Sequence, residues 1–129
     1  MKTAKLTLTI LQDELAVCRM KADSEIPTWA TKGHFFSVTR TEEELSIVCN
    51  QNNVPNEVKY EKDWKAFKVE GQLDFTLTGI LSSLSNPLAK AGISIFAIST
   101  FNTDYVLVKS EKLDQSVRVL SKICQINDI

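Results

Sequence analysis

Between Trp64 and Ile126 the spacing of apolar residues changes in a fixed order that few folds accept. Trp64, Ala66, Phe67 and Val69 mark a strand over residues 65–69. Ile80, Leu81, Leu84, Leu88 and Ala91 then recur at helical spacing, and Gly92 ends the run. Thr78 stands where an N-cap belongs. Pro87 removes one backbone donor and should kink this helix near Ser83. Residues 93–99 are almost unbroken apolar sequence, expected as a central strand covered on at least one face. Residues 100–104 read as a polar turn and 105–109 as the antiparallel return strand. Leu113, Val117 and Leu120 give a second helix over 111–122, acidic at its start and carrying Arg118 and Lys122 towards its end, as the helix dipole favours. Residues 124–126 supply a short last strand. Strand, helix, strand, strand, helix, strand is the ferredoxin-like split βαβ arrangement.

The first half repeats that order in reduced form. Leu6, Leu8 and Ile10 alternate with Thr7 and Thr9, the period of a half-buried strand. Residues 12–14 read as the turn of a hairpin whose second strand is 15–20. Between Pro27 and Gly33 there is room only for a single helical turn. Strands follow at 35–39 and 45–49, joined by the polar turn 40–44, and residues 50–56 are loop chemistry rich in asparagine. The expected fold class is therefore α+β. It comprises two tandem ferredoxin-like units, the first with reduced helices, with antiparallel sheets and helices on one face. The division falls as 1–62 and 63–129. It rests on element order, since no residue-level repeat is visible.

Several function classes are excluded by what the chain lacks. A formal net charge of −1 gives no electrostatic attraction to nucleic acid or an anionic membrane surface. The start carries no signal-peptide pattern and no apolar stretch is long enough to span a bilayer, so a cytoplasmic location is expected. Cys18, Cys49 and Cys124 are far apart among aliphatic neighbours and are expected as core residues rather than redox or metal groups. His34 is the single histidine, between Gly33 and two phenylalanines, and no nucleophile–base–orienter set accompanies it. No metal motif, phosphate loop or cofactor motif occurs, so no catalytic residue, metal or cofactor is expected. Trp29 and Trp64 are read as packing residues between the units, with ligand stacking as the alternative.

The informative segments are 78–81 and 99–105. Gly79, at the turn into the helix, lets a ligand approach the backbone, and the exposed N–H groups there and at Ile80 suit a carboxylate. Thr100 and Asn102 supply donors and acceptors in a polar turn after an apolar strand. Asp104 supplies a fixed negative charge for an ammonium or guanidinium group. The strand end and the polar turn need not lie together within one unit, which points to a site at an interface. The structural alternative keeps Gly79 as a helix-start glycine and Asp104 as a turn residue. Burial decides between them, because a buried, unpartnered Asp104 is costly and favours a ligand, whereas a solvated one favours plain assembly.

The segment GQLDFTLTGILSSLSNPLAKAGISIFAISTFNTDYVLV, residues 71–108, closely resembles the ACT-domain signature of the CASTOR-type arginine sensors and of small bacterial ACT proteins. The upstream PTWA, FFSVTRT and ELSIVC segments are similar to the first half of those bacterial proteins. The resemblance implies tandem ACT domains that bind an amino acid at ACT–ACT interfaces and do no catalysis. Matched by motif, Gly79 and Ile80 would offer backbone groups, and Thr100, Phe101, Asn102 and Asp104 would line the turn side of the pocket. The arginine sensors have four ACT units in one chain; this chain has room for two. A homodimer would restore four, so self-association as a homodimer or higher homo-oligomer is expected. The expected function is a regulatory amino-acid-binding module acting on an unidentified effector protein. The alternative is a ligand-independent assembly module.

Overall fold

Strands outnumber helices in the computed structural model, which describes residues 6–71 and 79–128. In chain order the elements are β1 (Leu6–Ile10), β2 (Leu15–Met20), a 3₁₀ turn (Thr28–Thr31), β3 (Ser37–Arg40), β4 (Leu45–Asn50), a 3₁₀ turn (Gln51–Asn53) and β5 (Lys59–Val69). They continue with α1 (Ile80–Lys90), β6 (Phe96–Ser99), β7 (Asp104–Lys109), a 3₁₀ turn (Ser110–Lys112), α2 (Leu113–Leu120) and β8 (Cys124–Asp128). Two compact units result, residues 13–64 and residues 1–12 with 65–129. A contiguous cut at 62/63 would assign β1 to the first half; in the fold it belongs with 65–129. The hairpin expected from β1 and β2 is also replaced. β1 pairs with β5 and β8, and β2 pairs with β4 and β5. The reason is the length of β5, whose eleven residues offer β2 a partner along the first part and β1 along the last.

In the unit of residues 13–64 the strand order is β3-β4-β2-β5, antiparallel throughout. This is the split βαβ order with both helices shrunk to 3₁₀ turns. Ala16, Cys18, Leu45, Ile47 and Cys49 form its core, with Ala30 from the first 3₁₀ turn and Trp29 packed against it. Trp29 thus packs within this unit. Cys18 and Cys49 are diagonal neighbours on one face of the β2–β4 pair, since Cys18 faces Ile47 and Ala16 faces Cys49. The Thr41–Glu44 turn is closed by the Thr41 hydroxyl, which accepts from the Glu43 and Glu44 amides at 3.2 Å each. β5 carries a bulge between the pairs Leu15/Trp64 and Val17/Glu61. Asp63 takes a left-handed conformation there, φ 68°. The Gln51 side chain holds it, accepting from the Asp63 amide at 2.6 Å and donating to its carboxylate at 3.2 Å.

In the other unit the order is β6-β7-β5-β1-β8, with β1 and β8 parallel and the β1–β5 and β6–β7 pairs antiparallel. Alternate residues of the strands, Leu8, Phe67, Val69, Val106 and Val108, make one continuous buried face. Leu84 and Leu88 of α1 and Leu120 of α2 cover it, and the two helices pack on each other. The end of α1 is a Schellman motif: Gly92 is left-handed, its amide donates to Ala89 and the Ile93 amide donates to Leu88 at 2.9 Å. That motif explains a departure from the sequence reading. Of the apolar run 93–99 only Phe96–Ser99 is strand, and among the described residues it pairs with β7 alone rather than lying centrally. Ile93 and Ile95 are spent on the core beneath the helices instead. α1 runs through Pro87 to Lys90, and Thr78 lies outside the described residues.

Candidate functional site

Two features carry the residues singled out from the sequence: the start of α1 and the β6–β7 turn. The first is the helix start. Gly79 is the N-cap residue at φ 78°, ψ 2°, a left-handed conformation that suits glycine. A Cβ placed there would meet only Ser82 Oγ at 3.7 Å, ordinary contact, so backbone conformation alone calls for glycine. The Gly79 carbonyl accepts from the Ser83 amide at 2.9 Å and the Ser82 hydroxyl at 3.1 Å. Glycine has no side chain to cap the helix, so the N-cap residue itself satisfies none of the first-turn amides, Ile80 among them, through a side chain.

The second feature is the β6–β7 turn. The Thr100 amide donates to the Thr103 carbonyl at 2.8 Å, and the Thr100 hydroxyl both donates to that carbonyl at 3.0 Å and accepts from the Thr103 amide at 3.2 Å. Phe101 and Asn102 form the tip; Phe101 is 72% exposed, the largest exposure of any large apolar side chain among the described residues. Thr103 is buried, and its hydroxyl donates to the Val69 carbonyl at 2.6 Å. The direction of that carbonyl follows from the ladder. The Glu70 amide donates to Thr7, which makes Thr7/Glu70 the hydrogen-bonded pair and turns the backbone groups of Val69 away from β1, towards β7.

This bond decides a question that element order left open. The strand-five end and the polar turn do lie together within one unit, because Thr103 fastens one to the other. Asp104 opens β7, and its alternation with Val106 and Val108 puts its side chain on the helix-covered face. The carboxylate is therefore on the same side of the sheet as α1. It is half-buried and accepts a hydrogen bond from Ser99 Oγ at 2.6 Å. Asp104 is thus neither the buried, unpartnered charge that demands a ligand nor a freely solvated one.

Thr100, Phe101, Asn102 and Asp104 accordingly sit together at the β6–β7 turn beside the end of β5, whereas Gly79 and Ile80 open α1. Ser99 and Thr103 are the residues that sequence reasoning missed. Ser99 had a usable signal, since a two-residue hairpin loop at Phe101–Asn102 places it directly across from Asp104. Thr103 had none, because its partner is a backbone carbonyl 34 residues away. Elsewhere Cys18, Cys49 and Cys124 are buried thiols outside any disulfide, and His34 is exposed. No group of three or more His, Cys, Asp or Glu among the described residues is arranged to hold a metal.

Known proteins share both the sequence and this architecture. The ACT-domain family profile matches residues 59–122, and a second profile, described as an N-terminal domain, matches residues 13–57. The human protein named cytosolic arginine sensor for mTORC1 subunit 1 is 32% identical over 96 residues, 68% of this chain and 29% of the sensor. The chain thus spans less than a third of that relative's length. A crystal structure of a protein from Agrobacterium tumefaciens superposes with a TM-score of 0.92 at 37% identity, covering 98% of this chain and 96% of the other. The regulatory subunit of aspartate kinase from Thermus thermophilus shares the fold, with a TM-score of 0.63 at 9% identity over 93% of this chain and 99% of the other. The matched profile, the identity to the arginine sensor and the near-complete superposition agree: the chain belongs to the ACT-domain family, of the CASTOR type.

Proposed function

We propose that this protein is a non-catalytic regulatory module that binds an amino acid at the Gly79–Asp104 end of its ACT unit, against an ACT unit of a second copy. The observation that supports the reading is that alternation along β7 puts Asp104 on the face covered by α1 and α2, while α1 starts at a left-handed Gly79 with no side-chain cap. The first turn of α1 suits the ligand's α-carboxylate, and Asp104 suits a cationic group. Exposed Phe101 supplies apolar surface for the second copy or for the ligand's methylenes. Binding would act by population shift, limited by the ligand's differential affinity for the two arrangements. The name of the human relative makes arginine the first ligand to try, and the cytosol the expected setting. The effector is an unidentified protein.

One observation favours a second reading. Asp104 has a hydroxyl partner within its own hairpin, so the fold itself helps to accommodate its charge. A pure assembly module would need nothing more. A thermal-shift screen against the twenty amino acids separates the two. Ligand at about 100 times its dissociation constant adds about 2.7 kcal/mol and raises the melting point by several degrees. A shift from one or a few amino acids is the expected result; a flat panel at millimolar concentration would leave the assembly reading.

A further inference from the structure

We infer that Ser99 is a positioning residue of the ligand site, holding the Asp104 carboxylate in the orientation that receives a cation; this rests on the amino-acid-binding reading of that end of the unit. Ser99 closes β6, Asp104 opens β7, and the two are directly opposite in the ladder. The hydroxyl donates to Oδ1 at 2.6 Å, the short distance of a hydrogen bond to an ionised acceptor. Asp104 is half-buried on the helix-covered face, whereas Ser99 is exposed. The bond therefore spans the boundary between core and solvent, and its partner is the acid that the amino-acid-binding reading assigns to the ligand's cationic group.

Two consequences follow for recognition. The carboxylate is fixed in one rotamer before any ligand arrives, so less side-chain freedom is lost on binding. Oδ1 is already engaged, and Oδ2 is left as the oxygen with full capacity to accept. Ser99 reaches the ligand only through Asp104. Its removal should weaken cationic ligands and leave a neutral analogue of the same shape untouched.

The test is a calorimetric titration of the full chain with L-arginine, L-lysine and L-citrulline, comparing wild type with Ser99→Ala, Ser99→Thr, Asp104→Asn and the Ser99→Ala/Asp104→Asn double variant. Ser99→Ala should weaken the cationic amino acid by about tenfold, the worth of a charge-assisted hydrogen bond at a partly solvated position. Citrulline affinity and melting temperature should hold. Ser99→Thr keeps the hydroxyl and should restore binding. The double variant should bind no more weakly than Asp104→Asn, because a residue acting through Asp104 has nothing left to act on. If Asp104→Asn weakens binding but Ser99→Ala leaves it unchanged, the positioning role falls and the site stands. If neither L-arginine nor L-lysine binds wild type, the role and the cation site fall together.

Discussion

Replacing Thr103 by valine removes one hydroxyl and almost no volume, so it isolates the bond that ties the β6–β7 turn to the end of β5. The hydroxyl lies 2.6 Å from the Val69 carbonyl, and Thr103 is 4% exposed, so water cannot readily take its place. An acceptor left without its donor at such a site costs about 1–3 kcal/mol. The added methyl group returns at most about 0.8 kcal/mol. The expected net loss is about 1–2 kcal/mol, or a melting point lower by roughly 3–10 °C for a chain of this size. Urea denaturation gives the stability, and amide exchange at Thr100 and Thr103 reports the turn directly. Thr103→Val should speed exchange at both amides, whereas Thr103→Ser, which keeps the hydroxyl, should not. Thr103→Val with wild-type stability and unchanged exchange would refute the claim that this bond holds the turn against β5.

Further expectations follow from the same geometry. Gly79→Ala should destabilise by about 1–2 kcal/mol through the left-handed backbone alone, since the new Cβ meets no clash; equilibrium unfolding checks this, and a neutral result would place Gly79 in another conformation. A hydrogen bond to Cys49, and then burial, push the Cys18 thiol well above its usual range. Its folded pKa exceeds its unfolded one, so the contribution is complete below about pH 8.5 and is lost as pH rises beyond that. Stability measured by urea should therefore fall through this group as pH rises above about 8.5, and Cys18→Ala should flatten that fall. Leu84→Ala, at a fully buried contact between α1 and the sheet, should cost about 2–5 kcal/mol in the same assay.

Element types were legible because period is local. The helix of Leu84 and Leu88, the short turn after Pro27 and the return strand after Asp104 each announce themselves within a few residues. Pairing was less legible because it depends on distant edges. Nothing near Gln12 reveals that β1 and β2 share the long β5 instead of each other, or that β1 meets β8 in parallel. The apolar run 93–99 misled for a physical reason: a helix ended by a Schellman turn uses the following isoleucine to seal its own core, which imitates a buried strand in sequence. At the site, Gly79 and Asp104 were readable from residue chemistry. Ser99 and Thr103 act through hydrogen bonds that exist only once β6, β7 and β5 are side by side.

The most direct test of the central claim is a ¹⁵N–¹H titration of the protein with L-arginine, followed residue by residue. The account predicts saturable shifts concentrated on the amides of Gly79, Ile80 and the first turn of α1, and on Thr100 to Asp104, all abolished by Asp104→Asn. Saturable shifts centred elsewhere, or an Asp104→Asn protein that binds as well as wild type, would contradict it.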